Sequence, residues 1–456
     1  MAGTLVNSTK RTAGLARSSL SLRERDGARG NGSLRHSALH QGGPGGSTLS
    51  ILLLALTLLT STTLASDWPQ FLGPSRNGIC PANDLAPSWP KDGPPVLWQM
   101  KVGAGFSGPA VTDGKLALFH RIDDKECIEC LEAKTGKPLW KLEYPTAYRD
   151  DFGFDEGPRA TPAIERGKVY TYGAEGVLTC ADLQTGKRIW SINAKTDYAA
   201  PKGFFGIACS PLVHGNAVML NIGGNEGAGI IAFNKDNGKV LWKSTSDPAS
   251  YSSPTFAHIH GKDYAVFLTR SRLVLLDPTS GKLKLEYNVR IPIRTSVMAA
   301  TPLVIDDSIF ISASYSIGAA LLRVGDTALE KLWGNDETLS NHYATSIHLN
   351  GFLYGIHGRT DPGFDPPPLR CVELKTGKMR WEQPGFGAAT LTLAGDELLM
   401  LTERGELIRA PASPDAFRIT ARAQVLPNQV RAHPALADGC LYARSKDTLI
   451  CLDLRK

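Results

Sequence analysis

The sequence predicts an all-β chain folded as an eight-bladed β-propeller of four-stranded antiparallel blades, closed by an N-terminal strand that completes the last blade. Three observations carry that reading. The stretch CLEAKTGKPLW at 130–140 returns at 180–190, 232–242, 275–285 and 371–381, with a fainter copy at 323–333. A second marker, a step such as Thr-Pro ahead of an apolar run, falls at Pro109, Pro162, Pro211, Pro254, Pro302, Thr345, Thr390 and Pro434, at intervals of 43 to 53 residues. Such intervals lie at or just above the period of a four-stranded blade, and eight marks predict eight blades. The ends supply the third observation. The last unit stops at Lys456 with three strands, while Val96–Met100 has the VLW signature of a fourth strand and no first three before it. Pairing the two removes two sheet edges.

Each strand of a unit has its own local reason, seen best in ATPAIERGKVYTYGAEGVLTC at 160–180. A strand follows Thr161-Pro162, a tight turn falls at Arg166-Gly167, and a β-branched and aromatic strand covers Val169–Tyr172. A glycine-containing turn leads into the cysteine strand. The Thr-Gly-Lys turn then opens the last strand, which carries the tryptophan. Asp123-Asp124 and Asp306-Asp307 fall in strand-to-strand turns, where aspartate is ordinary.

Ahead of the ring, residues 1–65 read as a basic leader and signal peptide: a Ser/Gly-rich basic stretch to Thr48, an apolar run at Leu49–Leu59 and small residues through Ala65. That run is too short to span a bilayer. Residues 66–95 form an N-terminal extension and 96–456 the propeller. The expected location is outside the cytoplasm, periplasmic or extracellular, and the expected form a monomer. The formal charge of +6 is mostly a property of the leader, whose first 48 residues hold seven Lys/Arg and two Asp/Glu. The remainder carries 43 against 42, so it lacks the positive excess that nucleic-acid binding needs.

The eight cysteines fit the repeat. Cys130, Cys180, Cys371 and Cys451 share one place in their blades, filled elsewhere by Ala232 and Leu275, so they read as small buried side chains. Cys127 and Cys130 have the spacing of a metal pair but lie on one strand, pointing to opposite faces. A hairpin centred between Ser445 and Lys446 sets Cys440 and Cys451 opposite one another, where a cross-strand disulfide can form. His258 and His260 read as exposed turn residues, and Gly223–Gly227 as a hairpin loop with no helix behind it to cradle phosphate.

The pattern [AC]-x-[DE]-x-x-T-G-K-x-x-W resembles the tryptophan-docking motif of PQQ-like, BamB-type propeller repeats, shared with the quinoprotein alcohol dehydrogenases. It matches at Trp140, Trp190, Trp242 and Trp381, loosely at Trp333, and fails at Leu285. Trp98 supplies the same strand at the ring closure. The resemblance implies that these tryptophans wedge between neighbouring blades. The DWPQFLGP opening at 67–74 resembles the start of many exported members. It also implies a choice between two functions. The first is an exported, non-enzymatic scaffold of the non-catalytic branch, binding a protein or an extended peptide without a cofactor. The second is a PQQ-dependent oxidoreductase with calcium. No two cysteines are adjacent in the chain, whereas the dehydrogenases carry a vicinal pair over their quinone. No catalytic or metal-binding residue is therefore expected.

The loops ahead of each first strand surround the central channel of a propeller, and here they are rich in large polar and aromatic groups. Arg159, Tyr251, Arg294, His342, Arg431 and His433 form the candidate ligand-binding set at the channel mouth. Arginine and aromatic groups on one concave opening suit a carboxylate, a sugar or a peptide. Arg159, Arg294 and Arg431 lie three blades apart, and their mutual repulsion needs either a bound anion or nearby carboxylates such as Asp155 and Glu156.

Overall fold

Eight four-stranded antiparallel blades, one of them extended by a fifth, parallel strand, follow one another around a ring in the computed structural model, which describes residues 67–81, 85–289, 291–293, 296–361 and 363–455. The leader and its signal peptide lie outside the described residues. Seven blades use consecutive strands, at 110–145, 163–193, 212–244, 255–288, 303–335, 347–383 and 389–424. The eighth combines Ala435–Ala437, Cys440–Arg444 and Thr448–Asp453 with Val96–Lys101 as its outermost strand. Val96 faces Leu452 and Trp98 faces Cys451, so the ring closes as the two ends of the sequence require.

The turn chemistry is as the residues dictate. Arg166 and Gly167 both have positive φ, 47° and 74°, which gives the hairpin between Ala163–Glu165 and Lys168–Tyr172 the twist its strands need. His260 sits at φ 51° in the equivalent turn of blade 4, exposed like His258. In each repeat copy a β-bulge precedes the tryptophan, and that tryptophan faces the small residue of the neighbouring strand: Cys130–Trp140, Cys180–Trp190, Ala232–Trp242 and Cys371–Trp381.

The bulge aims each indole at the next blade. Nε1 of Trp98, Trp140, Trp190, Trp242 and Trp333 donates to Ala133 O, Leu183 O, Lys235 O, Pro278 O and Leu374 O, at 2.7 to 3.1 Å. Their rings lie against the glycine of the next Thr-Gly-Lys or equivalent turn. At Gly186, a Cβ would come within 2.6 Å of the Trp140 ring, so no larger residue fits. Trp381 is the exception: blade 7 has no such turn, and the indole donates to Ser413 O and packs beside Phe417. Leu285 fills the tryptophan position of blade 4 as a plain buried side chain.

A second set of contacts ties the blades at the channel. The Gly108 N–H donates to Thr161 Oγ1 at 3.2 Å, Thr161 N–H to Ser210 Oγ at 2.9 Å, and Ser210 N–H to Ser253 Oγ at 2.9 Å. Thr301 N–H donates to Thr345 Oγ1 at 3.0 Å. The residue just before the lead-in proline thus binds its blade to the next one.

The N-terminal extension runs inside the ring. Trp68 exchanges backbone hydrogen bonds with Val111 of blade 1, and Pro69 O accepts the Ile164 N–H of blade 2. Buried Arg76 donates to Ser210 O and Pro211 O of blade 3, and Ile79–Cys80 pairs in parallel with Leu393–Ala394 of blade 7. Hydrogen bonds to the backbone replace a carboxylate partner for this guanidinium, whose burial pulls its pKa down to about 10. The segment therefore crosses the channel as a plug.

The Cys440–Cys451 expectation is corrected by the register. Cys440 faces Asp453 and Tyr442 faces Cys451, because Ser445 N–H bonds to Thr448 O and centres the turn on Lys446-Asp447. The two thiols are diagonal rather than opposite; all eight cysteines are buried and none is in a disulfide.

Between blades 1 and 2 the Glu126 carboxyl is buried, with Oε1 accepting the Ala174 N–H at 2.8 Å and Oε2 pressed on Gly173 without a hydrogen-bond partner among the described residues. Burial pushes its pKa up to about 7. Between the unfolded value near 4.5 and that pKa the folded chain holds one more proton than the unfolded chain. Stability is therefore expected to fall as pH rises across this window, by about 3 kcal/mol, and to stay flat above it. Urea unfolding between pH 4 and 8 checks the slope, which Glu126→Gln removes. Trp190→Ala is expected to destabilise by about 3–5 kcal/mol, since the indole is buried between blades 2 and 3. A melting temperature close to that of the parent chain would contradict the wedge.

Candidate functional site

A cavity of about 190 Å³ occupies the mouth of the channel, and residues from all eight blades line it. Phe71 of the plug forms part of its floor, together with the hydroxyls of Thr161, Ser210 and Ser253. Phe106, Phe154, Phe205, Tyr251 and Tyr343 supply aromatic walls. The extended lead-in segments place alternate residues in the cavity, as at Arg159 and Thr161 or Tyr251 and Ser253, because side chains of an extended backbone alternate between faces.

Five of the six expected site residues meet here: Arg159, Tyr251, His342, Arg431 and His433. Arg294 lies outside the described residues. Their roles differ from a cluster of free cations. Arg159 is held by Asp150 at 3.2 Å and donates to Gly157 O and Asp155 O. Arg431 is held by Glu403 at 2.6 Å, with the rings of Phe106, Phe154 and Tyr343 around its guanidinium. The partner of Arg159 is thus Asp150, not Asp155 or Glu156. Asp150 accepts the Phe154 and Asp155 N–H groups, which curls the loop and turns its carboxylate inward. The Asp155 carboxylate is spent on the N–H groups of Gly105 and Gly157, and Glu156 pairs with Arg149.

His342 stands in a chain of hydrogen bonds. Its Nδ1 accepts the Thr360 N–H at 3.2 Å, so in the neutral ring the proton sits on Nε2, directed to Tyr315 Oη at 3.1 Å. Tyr315 Oη donates to Asp361 Oδ2 at 3.0 Å, and Arg359 binds the same carboxylate at 2.6 Å. Burial outweighs the nearby Asp361 charge and pulls the imidazole pKa down to about 4. His433 lies under the plug, stacked on Trp68 at 6.1 Å, with its two nitrogens 3.0 Å from Leu391 O and Pro434 O. Burial lowers its pKa as well. Tyr251 presents its ring to the cavity, while its hydroxyl accepts the N–H groups of Phe204 and Phe205 at 2.9 and 3.3 Å.

Sequence reasoning missed three contributors. Phe71 and its plug carried no repeat signal. Asp361, Arg359 and Tyr315 sit in irregular loops of blades 5 and 6. The channel hydroxyls were legible, since Thr161, Ser210, Ser253 and Thr301 each precede a lead-in proline.

Among the described residues no group of three or more His, Cys, Asp or Glu side chains could hold a metal ion. The cysteines are buried and not in disulfides, and both described channel-mouth arginines already hold carboxylates. A cavity of this size is also below the range of most small-molecule sites, about 300–1,000 Å³.

Ring, wedges and blind aromatic mouth define the class: a β-propeller built around a plugged funnel. A family model described as outer membrane protein assembly factor BamB matches residues 124–383, more than half of the chain. The chain belongs to that PQQ-like, BamB-type propeller family. No curated protein matches it. Among solved structures, BamB from Moraxella catarrhalis is 14% identical, with a TM-score of 0.56, covering 78% of this chain and 96% of that one. A europium-containing methanol dehydrogenase is 10% identical, with a TM-score of 0.63 and coverages of 84% and 90%. Quinohemoprotein alcohol dehydrogenase from Comamonas testosteroni is 15% identical, with a TM-score of 0.59 and coverages of 86% and 81%. These likenesses show the fold, which scaffolds and enzymes share. No helix among the described residues is long and apolar enough to cross a membrane.

Tyr251→Phe is expected to leave the Phe204 and Phe205 N–H groups without an acceptor and to cost about 1 kcal/mol. Hydrogen exchange at these two amides, faster in the variant, checks it.

Proposed function

We propose that the chain is a non-enzymatic binding propeller, a scaffold outside the cytoplasm whose funnel receives part of a protein or an extended peptide. The observation that carries this reading is the funnel itself, closed below by the chain's own plug and walled by aromatic rings. Its ionic groups are already satisfied within the protein. Catalysis of the acid–base kind needs a group poised near the working pH at the reacting centre. The His342 imidazole lies well below it, and the Arg359–Asp361 and Arg431–Glu403 pairs are structural. The BamB family match supports a scaffold, and the dehydrogenase likeness keeps the quinoprotein alternative worth testing.

A photo-crosslinking residue placed at Phe205 in the funnel is expected to capture a polypeptide from the native cell envelope. The same residue at Leu241, on an outer strand, serves as the control. Equal capture at both positions would overturn the funnel as the site. Uptake of PQQ by the purified protein with calcium, seen as a quinone absorbance that survives gel filtration, would overturn the non-enzymatic reading.

A further inference from the structure

We infer that the funnel selects an uncharged, aromatic-bearing segment of extended peptide, and that the peptide chain leaves it through the cleft between blades 6 and 7. This rests on the binding reading above and names the chemistry of the partner.

Charge is the first argument. Arg159, Arg359 and Arg431 line or flank the cavity, and each is held by a carboxylate of the protein at 2.6 to 3.2 Å. His342 is neutral, fixed by the Thr360 N–H on one nitrogen and Tyr315 on the other. An anion or cation entering this space would lose its water without gaining an unpaired counter-charge, a cost that a neutral group avoids.

The free polar capacity of the wall is small. Thr390 Oγ1 and Tyr343 Oη are buried there without a hydrogen-bond partner among the described residues. A saccharide brings several hydroxyls, each costly to bury unpaired. The aromatic walls at Phe154, Phe205 and Tyr251, with ring centroids 5.8 to 6.1 Å apart, suit the edge of a further ring.

The lower channel already holds an aromatic-bearing segment of the chain itself. The plug carries Trp68 and Phe71 on a segment that turns repeatedly between residues 70 and 78, bound by backbone hydrogen bonds to Val111 and Ile164 and by parallel pairing with Leu393–Ala394. The same inner strands continue upward into the cavity wall.

The way out is set by the missing wedge partner in blade 7. Where five other seams close on an indole and a turn glycine, blades 6 and 7 leave a cleft of about 1110 Å³, lined by Phe364, Phe386, Phe417 and the Pro366-Pro367 segment. Thr360 and Asp361 line both cavities, so the funnel and this cleft adjoin. The funnel has room for a side chain, and the cleft for the chain that carries it.

Calorimetric titration of the purified full chain with short blocked peptides tests this. A Ser/Ala peptide with a central Phe is expected to bind at least about tenfold more tightly than the same peptide with Ala in place of Phe, or with Asp or Lys beside it. Phe364→Ser, at a site 53% exposed, is expected to weaken that peptide and to leave N-acetylphenylalaninamide unaffected. Glu403→Gln frees Arg431 and is expected to shift preference toward the Asp-bearing peptide; Asp361→Asn, which frees Arg359, serves where that variant melts early. Binding of charged and neutral peptides alike, failure of every peptide to bind, or binding of cellobiose in place of peptide would overturn the inference. Cellobiose binding would still leave the funnel as a binding site, whereas PQQ uptake would remove the scaffold reading as well.

Discussion

Five of the eight seams of this propeller are held by one indole seated on a glycine. The bulge ahead of the tryptophan turns the ring outward, Nε1 finds a backbone carbonyl across the seam, and the aromatic face covers a turn that admits no Cβ. The couple works only if both partners are present, which is why the repeat carries Thr-Gly-Lys and Trp together. Trp98 shows what depends on it. This residue reaches Ala133 O and Gly136 of blade 1 while its strand pairs with Cys451 of blade 8, so the closing strand is sealed on both sides.

Closure of a ring leaves a hole at its axis, and this chain fills the hole with itself. The plug meets the channel mainly through backbone groups, because a ring of inner strands presents carbonyls and N–H groups rather than matched side-chain pockets. Arg76 is the clearest case: a buried guanidinium held by Ser210 O, Pro211 O and Gln70 Oε1. What remains above the plug is a shallow aromatic cup. Its ionic groups were neutralised when the loops folded, as the curl of 149–157 around Asp150 shows.

The seam between blades 6 and 7 and the cup belong to the same physical circumstance. Blade 7 lacks the Thr-Gly-Lys turn, its long connection through Ser413 and Phe417 receives Trp381 instead, and the packing there opens into a cleft. A propeller can tolerate one loose seam because the other blades hold the ring. Loose packing where polar and aromatic groups converge is also where a fold has room for a partner.

The blade count, the docking tryptophans, the turn residues and the closing strand were legible in the sequence, because each is local chemistry repeated at a fixed period. Arg159, Tyr251, His342, Arg431 and His433 could be placed at one mouth by the same periodicity. Tertiary structure alone decided what those side chains do. Asp150 reached Arg159 through a loop curl that no pattern encodes, Glu403 reached Arg431 from the neighbouring blade, and His433 was covered by Trp68 from the far end of the chain. The Cys440–Cys451 register turned on which two residues made the tip of one hairpin, a choice settled by the Ser445–Thr448 hydrogen bond. Periodic features follow from neighbours in sequence; the charge and shape of the funnel follow from neighbours in space.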